Sequence, residues 1–95
     1  MSQGEVLREL AELRASLDAT IHQIEVGSRT IAEVFADAQE NSAIGYLYAV
    51  KAMEADPRVG KVRARRILEE LGLLETTRIS DLSPVHLAKI VTEVA

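Results

Sequence analysis

Apolar residues recur at helical spacing from Glu5 to about Val26, where they follow an approximate heptad. The members of this heptad are Val6, Leu10, Leu13, Leu17 and Ile24. The pattern predicts one long amphipathic helix, and Gly27 directly after it is typical of a helix end. The apolar stripe fits either packing on the chain's own core or coiled-coil pairing, because three heptads is about the shortest run that indicates a coiled coil.

The middle of the chain carries two helix-start signals. Thr30 and Glu33 have the spacing of a capping box, which predicts a short helix from Ile31 to about Gln39. Asn41 can cap a third helix, which we expect to run from Ala43 to about Ala55.

This third helix contains the segment "AIGYLYAV", which is apolar nearly all round and therefore predicts a central, covered helix. Tyr46 and Tyr48 would lie about 200° apart on it, so we expect only one of them to reach solvent. Asp56-Pro57 predicts the end of the helix, because proline disfavours helical geometry in the residue before it.

The second half of the chain predicts two more helices. One starts near Gly60 and stops at Gly72, and its core stripe consists of Ala64, Ile67, Leu68 and Leu71. The other starts at Ser83-Pro84, a capping residue followed by proline in the first turn. Ile79 and Leu82 are expected to be buried between them. The sequence has no alternating strand pattern, so the predicted fold class is all-α with about five helices.

Length and composition set the class of protein. Ninety-five residues suit one globular unit, and 47% hydrophobic with 27% charged residues is ordinary for such a unit. The chain has no cysteine, which excludes disulfides and thiolate metal sites. The sequence shows neither a signal-peptide pattern nor an apolar run long enough to span a membrane. We therefore expect a cytoplasmic protein with no membrane partner.

Catalytic chemistry finds little support in the sequence. The two histidines, His22 and His86, fall on different predicted helices, and neither has a metal-binding residue four positions later. No phosphate-binding glycine loop, dinucleotide fingerprint or zinc-protease motif occurs. We predict that the protein is not an enzyme and needs no cofactor or metal.

The charges are distributed unevenly. Residues 1–56 carry four basic and ten acidic side chains, which gives −6, and residues 57–95 carry seven and five, which gives +2, for a net charge of −4. Five of the eleven basic residues lie in "DPRVGKVRARRI", which begins at Asp56. A glycine that leads into a helix suits phosphate binding, because the first helical N–H groups lack partners and the helix dipole is positive there.

The helix that follows Gly60 has basic residues at its start and Glu69 and Glu70 at its end. This order opposes the helix dipole, which indicates that the cations serve binding. The simpler alternative is a solvated face with two ion pairs, Arg65–Glu69 and Arg66–Glu70, each contributing about 0.2–0.5 kcal/mol.

The segment "PRVGKVRARRILEELGL" resembles the helix–two-turn–helix part of the actinobacterial integration host factor family, the mycobacterial type. The resemblance extends through "TIAEVFADAQENSAIGYL" and "RISDLSPVHLAKI". It implies an N-terminal amphipathic helix at 1–27 and a DNA-binding domain at 28–95. It also implies a nucleoid-associated protein that binds double-stranded DNA with little sequence preference. The positions implied to approach the DNA backbone are Arg58, Val59, Gly60, Lys61, Arg63, Arg65, Arg66 and Arg78.

The chain departs from the family in its charge. The first helix is acidic, and Tyr46 and Tyr48 stand where relatives tend to carry lysines. Two other functions therefore remain open. The first is a protein-interaction module that self-associates or binds a partner through the N-terminal helix and the tyrosines, with weak or lost DNA binding. The second is binding of structured RNA through the same turn.

Overall fold

The structure, a computed structural model, describes residues 3–94 as an all-helical protein, which confirms the predicted fold class. It contains six α-helices and one short 3-10 turn and measures 44 × 26 × 23 Å. The helices are α1 (Gln3–Glu25), α2 (Ile31–Asp37), α3 (Ser42–Gly45), α4 (Ala49–Ala55), α5 (Gly60–Glu70) and α6 (Pro84–Val94), and the 3-10 turn is Ile79–Asp81. Among these residues no helix is long and apolar enough to cross a bilayer.

Local capping signals set most helix boundaries as the sequence predicts. The Thr30 hydroxyl accepts a hydrogen bond from the Glu33 N–H at 3.1 Å, and the Glu33 carboxylate accepts one from the Thr30 N–H at 3.3 Å. Asn41 accepts from the N–H of Ala43 at 3.0 Å, and Ser83 accepts from the N–H of His86 at 3.2 Å. Each bond satisfies an N–H that the helix itself leaves without an acceptor.

The prediction of one continuous third helix is wrong. The chain leaves helical geometry after α3 and resumes it at α4, with Tyr46, Leu47 and Tyr48 between the two helices. Leu47 accepts a hydrogen bond from the Ile79 N–H, and the Ala49 N–H donates to Thr77, each at 2.9 Å. These long-range bonds replace helical ones. Both tyrosines are exposed, at 51% and 37%, so the expectation that only one reaches solvent is also wrong.

Only the second half of α1 enters the core. Ile24 is 2% exposed, and Thr20 is buried with its hydroxyl donating to the Ser16 carbonyl at 3.0 Å. Leu7 and Leu10, in the first half, are 61% and 57% exposed. The apolar stripe of α1 therefore packs on its own domain in the second half and continues onto the surface in the first.

The core forms where α4 packs against α5 and against α1, while α2 packs against α6. The expected anchors Ile79 and Leu82 are 0% and 8% exposed. The α5 stripe is buried at Ala64, Ile67 and Leu68 and partly buried at Leu71. The turn between α4 and α5 therefore lies at the surface, and the packed helices α4 and α5 support it from the core side.

Candidate functional site

The turn between α4 and α5 is organised by Asp56, which is 6% exposed. Its carboxylate accepts a hydrogen bond from the Arg58 N–H at 2.9 Å, as aspartate does in an Asx turn. Its carbonyl accepts from the N–H groups of Val59 and Gly60 at 2.9 and 3.1 Å. The Val59 side chain is 8% exposed. Val59 therefore anchors the turn to the core, and only its backbone is placed to meet a ligand.

Asp56 also pairs with the Arg58 side chain, whose Nη2 lies 3.1 Å from the Asp56 Oδ2. This hydrogen bond lowers the pKa of Asp56 below its usual value, and it outweighs burial, which would raise that pKa. The Arg58 side chain is 72% exposed, so it remains accessible although its charge is compensated.

Gly60 lies at a φ of +74°, in the left-handed region that other residues rarely adopt. A Cβ added there would meet nothing within 4 Å, so the space outside the turn is open. The next two backbone N–H groups, those of Lys61 and Val62, have no backbone acceptor within residues 3–94. No acidic residue occupies the first turn of α5. Free N–H groups and the positive end of the helix dipole thus face open space together, the arrangement that binds phosphate at helix starts.

The cations on α5 are all exposed: Lys61, Arg63, Arg65 and Arg66. Two of them are engaged. The Arg65 Nε donates to Glu75 at 2.6 Å, and its Nη2 lies 4.0 Å from Glu54. Arg63 donates to the backbone carbonyl of Glu93 at the end of α6. Arg65 thus pairs with carboxylates outside α5 and not with Glu69.

Lys61 and Arg66 have no carboxylate partner within the described part of the chain. Arg63 also has no carboxylate partner there, but it is held by the Glu93 carbonyl, so Lys61 and Arg66 are the α5 cations without a side-chain partner. Lys61 stands at the edge of a groove of about 650 Å³ between α1 and α4, which Asp18 and Glu25 of α1 also line. Acidic side chains thus border the cation site on the α1 side.

Arg78 does not join this cluster. An isolated antiparallel bridge pairs it with Tyr48, which precedes α4, whereas the Asp56–Gly60 turn follows α4. Its guanidinium lies over the Tyr46 ring, 3.8 Å from the ring centre, and over the Tyr48 ring at 5.6 Å. The seven residues of α4, with a rise of about 10 Å, lie between the bridge partner of Arg78 and the Asp56–Gly60 turn.

Two carboxylates that pair with arginines of the site were not predicted from the sequence, Asp56 and Glu75. Asp56 was predicted only as a helix end, although aspartate often accepts a hydrogen bond from the N–H two residues later in a turn. Glu75 had no local signal, because it reaches Arg65 from a loop that only the fold brings near. His22 and His86 lie on α1 and α6, and the described residues contain no group of three side chains able to hold a metal.

Residues 24–94 match the S13-like H2TH domain family. The fold and the α4–α5 turn thus define a helix–two-turn–helix protein. Over 86 residues the chain is 33% identical to the integration host factor of Streptomyces coelicolor, a span of 90% of this chain and 74% of that protein. It is 29% identical over 76 residues to the integration host factor of Mycobacterium tuberculosis, covering 80% of this chain and 72% of that protein. The chain belongs to the actinobacterial integration host factor family.

A solved structure described as sIHF bound to an 8-base-pair palindromic DNA shares the fold with a TM-score of 0.85. It is 30% identical in sequence, and the match covers 93% of this chain and 99% of that one.

Proposed function

We propose that the protein is a nucleoid-associated, non-enzymatic protein that binds double-stranded DNA through the start of α5. The observation that carries this proposal is the pair of acceptor-free N–H groups of Lys61 and Val62 on the helix that carries the unpaired cations Lys61 and Arg66. A phosphate can accept from such N–H groups while the side chains supply the countercharge. Membership of the integration host factor family and the DNA-bound relative support the same ligand.

The contacts are directed at the sugar-phosphate backbone and not at base edges. Helix-start N–H groups and flexible cationic side chains recognise phosphates, and phosphates are the same for every sequence. We therefore expect little sequence preference, a strong dependence on salt and a location in the nucleoid. No cofactor is needed for this function.

The predicted residues contribute unequally in this proposal. Lys61 and Arg66 make the main ionic contacts, and Gly60 leaves room for the phosphate. Arg58 and Arg65 contribute less, because each already pairs with a carboxylate. Arg63 also contributes less, because its guanidinium donates a hydrogen bond to the Glu93 carbonyl at the end of α6.

The test is a duplex-binding titration, by fluorescence anisotropy at several salt concentrations, of the wild type and the variant Lys61→Glu/Arg66→Glu. We expect the variant to bind at least about tenfold more weakly at low salt. The slope of log K against log salt should also fall in magnitude by about 2, since each phosphate contact contributes about 0.9.

The matched control is Arg8→Glu/Lys89→Glu, which makes the same change in net charge on α1 and α6, where both side chains are exposed. It should retain most of the affinity if the α5 surface is the binding site. Equal losses in the two variants would show that net charge alone governs binding and would reject the assigned surface. Titration of an RNA duplex beside the DNA duplex distinguishes the two nucleic acids.

A further inference from the structure

The first half of α1 lies outside the core. Every side chain from residue 6 to residue 12 is exposed, including Leu7 at 61% and Leu10 at 57%. A helical segment of this length is only marginally stable when nothing packs against it. The exposed leucines therefore form a surface that a partner would stabilise.

Leu7 belongs to a second stripe on α1, beside the stripe that enters the core. Its members are alternately four and three residues apart, so they form one line along the helix. They are Leu7, Ala11, Arg14, Asp18, Ile21 and Glu25. The stripe is apolar at the start of α1 and carries two opposite charges in its middle. We call its exposed apolar part, with Leu10 beside it, the α1 ridge.

The second half of the stripe forms one wall of the groove of about 650 Å³ between α1 and α4. Ile21 lines this groove from α1, and Leu47 and Ala55 line it from the α4 side. All three side chains are buried or partly buried, so the groove has an apolar floor. Asp18 borders both this groove and the surface around Leu7. The same side of α1 thus carries a ridge in its first half and a groove in its second.

A ridge and a groove on one side of a helix fit each other in a second copy of the chain. A twofold axis that crosses α1 at the level of Ser16 turns the second α1 antiparallel and lays its ridge in the groove of the first. Ala11 of one copy then lies opposite Ile21 of the other. Leu10 lies on the α4 side of the stripe, so it points toward Leu47 of the other copy.

The charges in the middle of the stripe favour this antiparallel register. Arg14 and Asp18 are both exposed, and neither forms an ion pair within the part of the chain that the structure describes. In the antiparallel pair each Arg14 lies opposite an Asp18, which gives two ion pairs related by the axis. A parallel pair would instead set like charges opposite each other, and such contacts are unfavourable.

The remaining charges do not oppose the contact. Glu9 and Glu12 lie on the side of α1 that faces away from the stripe. Lys51 and Glu54 of the groove already pair with each other at 3.3 Å, so neither needs an ionic partner from the ridge.

We propose that the protein associates with a second copy of itself as an antiparallel dimer, in which the α1 ridge of each copy lies in the groove of the other. The inference does not depend on DNA binding. Two short helical segments make a small interface, so the dimer is weak and forms at micromolar to millimolar concentration.

Sedimentation equilibrium without DNA, over that concentration range, tests the proposal. The wild type should associate reversibly. Leu7→Glu/Leu10→Glu should weaken association at least about tenfold, because it places charges against an apolar groove. The matched control is Leu74→Glu/Val85→Glu, which makes the same change in net charge at exposed apolar residues outside α1. The control should associate like the wild type, and circular dichroism establishes that each variant is folded.

Charge reversal tests the register. Arg14→Asp and Asp18→Arg should each weaken association several-fold, since each replaces two attractive pairs with two repulsive ones. An equimolar mixture of these two variants should associate at least as strongly as the wild type, because every position 14 then lies opposite a position 18 of opposite charge. Recovery in the mixture also shows that both variants are folded.

Two results would overturn the inference. The first is a wild type that stays monomeric throughout the concentration range. The second is wild-type association in the folded Leu7→Glu/Leu10→Glu variant or in both single charge variants. Neither result bears on the proposed function, which the duplex titration of Lys61→Glu/Arg66→Glu tests separately.

Discussion

Helices α1 and α5 are both amphipathic, but they present opposite charges to solvent. Residues 3–25 carry two basic and five acidic side chains, whereas residues 60–70 carry four basic and two acidic ones. The bases of α5 lie at its start, against the helix dipole, and its acids lie in the last turn. Stability alone would favour the reverse order, so this charge order supports the proposed phosphate site at the start of α5.

The comparison also separates two uses of a helix surface. The second half of α1 is structural, with Ile24 and Thr20 in the core. The start of α5 combines a buried stripe with free N–H groups and open space. An overall charge of −4 is therefore compatible with an anion site, because the positive potential is concentrated where the backbone donors are.

The largest expected effect concerns Asp56, the carboxylate whose hydrogen bonds stabilise the turn before α5. Asp56→Ala removes the acceptor for the Arg58 N–H and the ion pair, so we expect a loss of about 1–3 kcal/mol in the free energy of unfolding. Denaturant unfolding at pH 7 measures it. Asp56→Asn is the control, because its amide oxygen can still accept from the N–H; its loss should be smaller.

Asp56 also gives the stability a pH dependence. Arg58 lowers the pKa of Asp56 in the folded state, so the unfolded chain takes up the proton first as the pH falls. The stabilisation is complete above the usual aspartate pKa of about 3.9 and is lost as the pH falls through the lowered folded-state value. The wild type and Asp56→Asn should therefore converge in stability below pH 4. A constant difference across that range would contradict this role.

The next prediction compares two glycines with left-handed backbone, of which only one lies at the proposed DNA-binding turn. Gly60 and Gly72 have φ values of +74° and +70°, and a Cβ at either position would meet nothing within 4 Å. Replacement by alanine should cost about 1–2 kcal/mol of stability at each, because of the left-handed backbone. Only Gly60→Ala should also weaken duplex binding, since Gly60 precedes the free N–H groups. Equal affinities in the two folded variants would show that the turn does not approach DNA.

The sequence predicted the elements whose signals are local. The capping box of Thr30 and Glu33, the Ser83-Pro84 start and the α5 stripe each depend on residues within a turn or two, and the structure has all three. The exposure of the α5 cations follows from the same periodicity.

The break between α3 and α4 was not predictable from local pattern. The helix is interrupted at Tyr46, Leu47 and Tyr48. The Ile79 N–H donates to Leu47, and the Thr77 carbonyl, also some thirty residues away from its partner, accepts from the Ala49 N–H. Gly45 was the one available signal, since a glycine inside an apolar run often marks a close backbone approach. The pairing of Arg65 with Glu75 was missed for the same reason: tertiary packing creates it.

The smallest expected effect tests whether the acids of α1 weaken the cation site of α5. Asp18 and Glu25 line the same groove as Lys61, so their charges act on a phosphate there at short range. Asp18→Asn/Glu25→Gln should raise duplex affinity by about two- to fivefold at low salt. The gain should be smaller at high salt, because salt screens the repulsion between these carboxylates and the phosphate. Glu9→Gln/Glu12→Gln is the matched control, because it changes the net charge equally in the exposed first half of α1. An equal gain in both variants would mean that DNA responds only to the total charge. A gain confined to Asp18 and Glu25 would show that the end of α1 and the start of α5 share one electrostatic surface.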